Sequence, residues 1–197
     1  MLDNTCTYSK DRKELLKKIK KLCLRSYPKH NWDGHLIPVV NAALRLQKVY
    51  GGDKFIIETG AYMHDIGRVL FEYLKPLGIT HEISGYYYTK LKLRQYGFDK
   101  KLNERISKCV LEHSGSGLSK HKPTSLEAEI IMNADAIAAF DEWTYQYSIF
   151  HSCHGRNPEK TREWLLKKLG YSWKKLTFPE IKKNISPLYK KIQKKMS

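Results

Sequence analysis

An all-α bundle is the fold class the sequence predicts, and three observations predict it. Apolar residues recur three and four apart in segment after segment, the spacing of one helical face. No stretch alternates apolar and polar residues with the period of a strand. Gly51-Gly52, Gly97 and Ser114-Gly115-Ser116-Gly117 punctuate the periodic segments.

The first segment, residues 10–25, places Leu15, Leu16, Ile19, Leu22 and Cys23 on one stripe, with lysines filling the other side. Residues 26–33, with Pro28, form a connector. Residues 36–50 are apolar nearly all round, through Ile37, Val39, Val40, Ala42, Ala43, Leu44, Leu46 and Val49, as expected of a buried helix. Pro38 belongs in its first turn, where a missing N–H is harmless. His35 then stands at the helix entrance, facing the core.

A second apolar run, Phe55 to Met63, leads into His64-Asp65-Ile66-Gly67-Arg68. Ile57, Ala61 and His64 fall at i, i+4 and i+7, and Gly67 is expected to end the helix in a left-handed cap. An imidazole and a carboxylate thus emerge together at the last turn of a buried helix. Residues 71–80, with Pro76 and Gly78, read as a loop bordering a pocket. His81 opens a helix running through Tyr87 and Leu91 to Gly97. In the next, about residues 100–113, Leu102, Ile106, Cys109 and Val110 form a stripe that His113 prolongs. Thr124 and Glu127 make a capping box for a further helix, on which Ala128, Ile131, Asp135 and Ala138 share a face. Asp135 is therefore a carboxylate on an apolar face, and burying it unpaired would cost several kcal/mol. It needs a cation or a hydrogen-bond network. Beyond Phe150 the chain turns basic and aromatic, with two short helices expected at about 159–169 and 187–196.

Hydrophobic content of 41% and aromatic content of 12% belong to a globular chain and exclude a disordered one. No apolar run approaches the roughly 20 residues that span a bilayer. Met1 to Ser9 is polar, unlike a secretory leader. Cys6, Cys23, Cys109 and Cys153 are widely spaced, which favours a reduced, cytoplasmic setting. The length of 197 residues suits a single domain, with a core at 30–145, an N-terminal helix in 1–29 and a basic helical extension at 146–197. The formal charge of +16 is concentrated at the two ends. Residues 1–25 carry eight Lys and Arg against three acids, and residues 158–197 carry twelve against three. That distribution reads first as a lysine-rich solvated surface. The alternative is a nucleic-acid-binding face on the terminal helices.

His35, then His64-Asp65, then Asp135, on successive helices, resembles the HD superfamily of metal-dependent phosphohydrolases. The string His-Asp-Ile-Gly matches the motif that names its HDIG branch, and the resemblance covers roughly residues 30–145. It implies an HD-domain helical bundle with added terminal helices. His35, His64, Asp65 and Asp135 would bind one divalent ion. His81 and His113 would complete a second site, with Asp65 bridging the two. Imidazole and carboxylate together suit Mn, Fe, Co, Ni or Zn, whereas Mg prefers an all-oxygen shell. Water activated in this way would cleave a phosphate ester, a nucleotide or small phosphorylated metabolite, with Asp65 and Arg68 as the catalytic pair. Arg68, and Lys120 and Lys122 after the glycine-rich turn, are the expected phosphate contacts. Ser114 stands where the cyclic-dinucleotide branch usually has a second histidine, and that branch's Gly-Tyr-Pro is missing, which argues against that substrate. A regulatory module that binds a nucleotide without turnover is the remaining alternative. His151, Cys153 and His154 lack the paired spacing of a structural zinc site and read as a polar loop.

Overall fold

Five of the helices begin where a short polar side chain captures free N–H groups of the first turn. Ser9 caps α1 (Lys10–Ser26), Asp53 caps α4 (Lys54–Met63), and Asp99 caps α7 (Lys100–Glu112). Ser125 caps α8 (Leu126–Asp141) by accepting from Ala128 N at 3.2 Å. Asn157 does the same for α10 (Pro158–Lys175). The expected box at Thr124 is thus displaced by one residue. Thr124 instead gives both its N–H and its hydroxyl to Glu112, at 2.8 Å each. Glu127 accepts from Asp53 N and from Arg105, stapling the entry of α4 to α7 and α8.

The computed structural model describes residues 9–115, 121–153 and 155–196; Lys120 and His154 lie outside them. The remaining helices are α2 (Lys29–Asn31), α3 (Ile37–Tyr50), α5 (Arg68–Leu74), α6 (His81–Gln95), α9 (Trp143–Cys153) and α11 (Pro179–Met196). Among the described residues there is no strand, and no helix is long and apolar enough to cross a membrane.

Helix α4 is the axis of the bundle. Every residue from Phe55 to Met63 is buried, and α1, α3, α7 and α8 all pack on it. Full burial of a side chain such as Phe55 or Ile57 is worth about 1.5–3 kcal/mol, so this helix is held from every side. Helix α8 is enclosed almost as fully, against α3, α4, α7, α10 and α11. Its burial goes well beyond the single apolar face expected.

Three departures from expectation shape the site. Residues 26–36 are helical in part, and α2 runs into a π-helical turn, Trp32–Leu36, that feeds directly into α3. Residues 71–80 are mostly helix, since α5 reaches Leu74 and a 3-10 turn continues to Leu77. The C-terminal helices are longer than expected and contribute Leu165, Leu169, Leu176, Ile185 and Ile192 to the core. Fully buried Asn133 on α8 donates to Thr177 Oγ1 at 2.7 Å and accepts from Thr177 N at 3.0 Å. This clamp fixes the end of α10 against the middle of α8.

Candidate metal centre

The chain leaves α4 through a tight turn. Ile66 N bonds Met63 O, Arg68 N bonds Asp65 O, and Val69 N bonds Ile66 O, all i to i+3. That winding lets neighbours His64 and Asp65 turn toward one locus, which a regular helix would not allow. Gly67 serves this turn by its size; its φ is not positive, contrary to the expected left-handed cap. A Cβ there would lie 2.0 Å from His81 O and 2.5 Å from Gly85 N. The missing side chain brings the start of α6, and with it His81, against the turn.

Six predicted ligands meet as two triads, His35 with His64 and Asp135, and Asp65 with His81 and His113. In the first, His35 Nε2 lies 3.2 Å from His64 Nε2 and 3.4 Å from Asp135 Oδ1. In the second, His81 Nε2 and His113 Nε2 each lie 3.4 Å from Asp65 Oδ1. The other oxygen of Asp65, Oδ2, faces the first triad, 3.4 Å from His35 Nε2 and 3.8 Å from His64 Nε2. Two donors each about 2.1 Å from one ion stand at most about 4.2 Å apart, and all these separations fall below that limit.

The ring tautomers supply the test of fit. His64 Nδ1 lies 2.7 Å from Ala61 O, and His113 Nδ1 lies 2.6 Å from Val110 O. Each Nδ1 therefore carries the proton it donates, leaving an Nε2 lone pair aimed inward. His81 Nδ1 is oriented likewise by Glu82 Oε2 at 3.3 Å. Lone pairs of imidazole nitrogens thus face carboxylate oxygens, and buried Asp65 Oδ1 receives no hydrogen bond. Acceptors aimed at one another are stable only with a cation between them, so the donor set fits a divalent metal.

Electrostatics agree. Burial pushes the His64 imidazole down to about 3, against the opposing pull of Asp65, so it stays neutral and able to ligate. Burial works against ionising Asp65, but Arg68 and the surrounding imidazoles outweigh it and hold the carboxyl well below its ordinary range. Asp135 is also held low despite its burial, first by Lys175, whose ammonium contacts Oδ2. Glu82 is held down at about 2, with burial opposing and His81 favouring its charge.

The first triad opens on a cavity of about 680 Å³. His35, Asp65, Arg68 and Asp135 stand on its wall, facing Gln146 and Phe150 of α9 and Trp164, Lys168, Tyr171 and Lys175 of α10. Arg68 opens α5, half exposed, and its Nε donates to Asp65 Oδ2 at 2.7 Å. Its guanidinium stands on the cavity wall. Lys122 is exposed and is not among the lining side chains. His151 and Cys153 belong to α9, not to a loop, and make no metal cluster among the described residues.

Sequence reasoning missed the lysines of α10. The signal was available: Trp164, Lys168, Tyr171 and Lys175 fall at i, i+4, i+7 and i+11, one face of a helix. A helix ending near residue 169 cuts that stripe in half. The reading of the basic terminus as a solvated surface is corrected for Lys168 and Lys175, which line the cavity.

The all-α bundle thus carries two histidine–aspartate triads that could each hold a metal ion. The family profile of the HD domain matches residues 32–139, and the chain belongs to that family. Over 138 residues it is 30% identical to a Clostridium beijerinckii protein of uncharacterised function, covering 69% of this chain and 78% of that one. Over 119 residues it is 26% identical to a tRNA (cytidine(56)-2'-O)-methyltransferase of Picrophilus torridus. That match covers 54% of this chain but only 31% of the methyltransferase. The crystal structure of Bacillus subtilis YpgQ superposes with a TM-score of 0.69 at 14% identity, covering 94% of this chain and 93% of that one. That likeness is one of fold.

Proposed function

We propose that this protein hydrolyses a phosphate ester with water, using two divalent ions held by the two triads. The carrying observation is Asp65, which turns one carboxylate oxygen to each triad beside a cavity lined with cations. Bound Mn, Fe, Co, Ni or Zn would supply Lewis acidity toward a phosphoryl oxygen and acidify water near neutral pH. The chain's own side chains do the rest. Ala61 O and Val110 O fix His64 and His113 with their Nε2 lone pairs inward. Asp65 is oriented by Arg68, whose guanidinium also holds phosphoryl oxygens in the cavity. Lys168 and Lys175 balance negative charge developing on the transferred group.

Free thiols at Cys23, Cys109 and Cys153 support a reduced, cytoplasmic setting. The test is turnover: Mn-loaded protein assayed against a panel of phosphate esters, with Asp65→Ala as the control. Release of phosphate from a member of the panel, absent in the control, is the expected result. Equal release by Asp65→Ala would refute the reading.

A further inference from the structure

Building on the two-ion reading above, we infer that Lys175 is a positioning residue that tunes the metal centre. Its ammonium holds one oxygen of Asp135, so that the open triad binds its ion more weakly than the same ligands would alone. The candidate ligands fall between His35 and Asp135, whereas Lys175 ends α10, outside the family match at 32–139. The tuning charge is supplied by the C-terminal helices and not by the ligand-bearing core.

The contact is firmly placed. Lys175 Nζ donates to Asp135 Oδ2 at 2.5 Å, and each side chain is only 14% exposed. Just beyond it, Thr177 is gripped by Asn133, one step before Asp135 on the same side of the crossing. Leu176, between Lys175 and Thr177, is buried in the core. The backbone that carries Lys175 is therefore fixed beside the carboxylate, unlike that of a lysine on an open surface.

Asp135 has two oxygens and two kinds of neighbour. Oδ1 faces the imidazoles, 3.4 Å from His35 Nε2 and 4.0 Å from His64 Nε2. Oδ2 is taken by the ammonium. An ion among the imidazoles would thus meet Asp135 through one oxygen, with a positive charge directly behind it. Like charges repel strongly where water is scarce, and a carboxylate shared with an ammonium has less charge to offer an ion. Asp65 is treated alike on this side, since Arg68 Nε holds its Oδ2 at 2.7 Å.

The buried triad has the opposite backing. Val110 O accepts from His113 Nδ1 at 2.6 Å, and Glu82 Oε2 stands 3.3 Å from His81 Nδ1. A carbonyl or carboxylate behind an imidazole raises its basicity and strengthens its hold on a metal. One site is weakened from behind and the other strengthened. The one-oxygen grip suits the open site, because an ion that acts on substrate needs coordination positions the protein does not fill. Lys175 also keeps Asp135 paired while that ion exchanges, which spares the fold an unpaired buried charge.

The experiment is a calorimetric titration of chelator-treated protein with Mn, which needs no turnover. His81→Ala removes a ligand of the buried triad, so the binding it retains reports the open one. In that background and in otherwise wild-type protein, Lys175→Met should tighten the open site about tenfold. Lys175→Arg keeps the charge and should stay near the wild-type affinity. Lys174→Met removes an exposed charge one residue away and should change the affinity by less than about twofold. Without metal, Lys175→Met should melt below wild type, because Asp135 has lost its partner, and saturating Mn should close most of that gap.

A lysine that merely held Asp135 in place would give the reverse sign. Lys175→Met that binds Mn as wild type does, or more weakly, overturns the inference. A Tm deficit that metal leaves open, with affinity unchanged, assigns Lys175 to packing. Wild-type protein that binds no Mn refutes the two-ion reading and the inference with it. Binding without turnover of any phosphate ester removes the hydrolase alone, and the sign of the Lys175→Met effect still decides the tuning.

Discussion

The two triads share Asp65 but stand in different surroundings. His35 and Asp135 lie on the cavity wall, beside Lys175 and within reach of a ligand. His81 and His113 do not line that cavity; they are set between α6, α7 and the turn after α4, with His113 side chain only 2% exposed. One triad faces the cavity, the other is buried behind it. Under the two-ion reading, the buried site chiefly holds and polarises the shared carboxylate, while the open site meets the phosphate.

The largest effect should come from breaking what both sites share. Asp65→Ala removes a ligand from each and leaves Arg68 without its partner. Turnover should fall by at least 10²–10³-fold, on the order seen when a pre-organised charge-stabilising group is lost. Elemental analysis should find little metal, with the helical circular-dichroism spectrum retained. Full activity in this variant would sink the metallohydrolase reading.

Next come changes confined to the buried triad. Protein purified without chelator should hold near two ions per chain, and His81→Ala and His113→Ala should each lower that toward one. Activity should drop on the order of 10–100-fold. A wild-type content of one ion, unmoved by either substitution, would make both histidines packing residues.

Arg68 meets the shared oxygen of Asp65 and the cavity. Losing a charge-assisted phosphate contact costs on the order of 1.5–3 kcal/mol, so Arg68→Ala should lower kcat/KM about 10–100-fold. A rise in KM alone would mean ground and transition states are held equally. Unchanged kcat/KM would remove Arg68 from both roles, holding phosphate and orienting Asp65.

The last effect concerns stability without metal and leaves turnover aside. His64 has its ordinary value of 6.5 when unfolded but about 3 in the fold, so the unfolded chain binds the extra proton between them. Its contribution is fully present above about pH 6.5 and is lost as pH falls toward 3. The Tm of chelator-treated protein should decline through that window, and His64→Gln should flatten the decline. A decline unchanged by the substitution would place the acid sensitivity elsewhere.

Most of the candidate ligand set was legible because helical phase is written in the sequence. His113 extends the stripe of Ile106, Cys109 and Val110, and it is buried as that stripe requires. Asp135 on an apolar helix demanded a cation, and it has Lys175 as well as the imidazoles. What was not legible depends on contacts between distant segments. Gly67 looks like a helix stop in one dimension; only the approach of His81 O and Gly85 N shows that it is a spacer. The lysines of α10 looked like solvated surface because their place beside Asp135 is set by Asn133 gripping Thr177, a pairing 44 residues apart in sequence. Lys122 looked close along the chain and is not part of the cavity wall.

The π-helical turn at Trp32–Leu36 has a consequence for how such a site can change over generations. Its closing bond runs from Ile37 N to Trp32 O, one residue more than an ordinary helical turn encloses. Removing a single codon there would restore regular pairing and rotate the preceding residues by about 100° relative to α3. His30 and Asn31, which line the cavity, would swing away from His35 while every ligand kept its identity. A one-residue deletion inside this short turn would therefore reshape the pocket while sparing every candidate ligand.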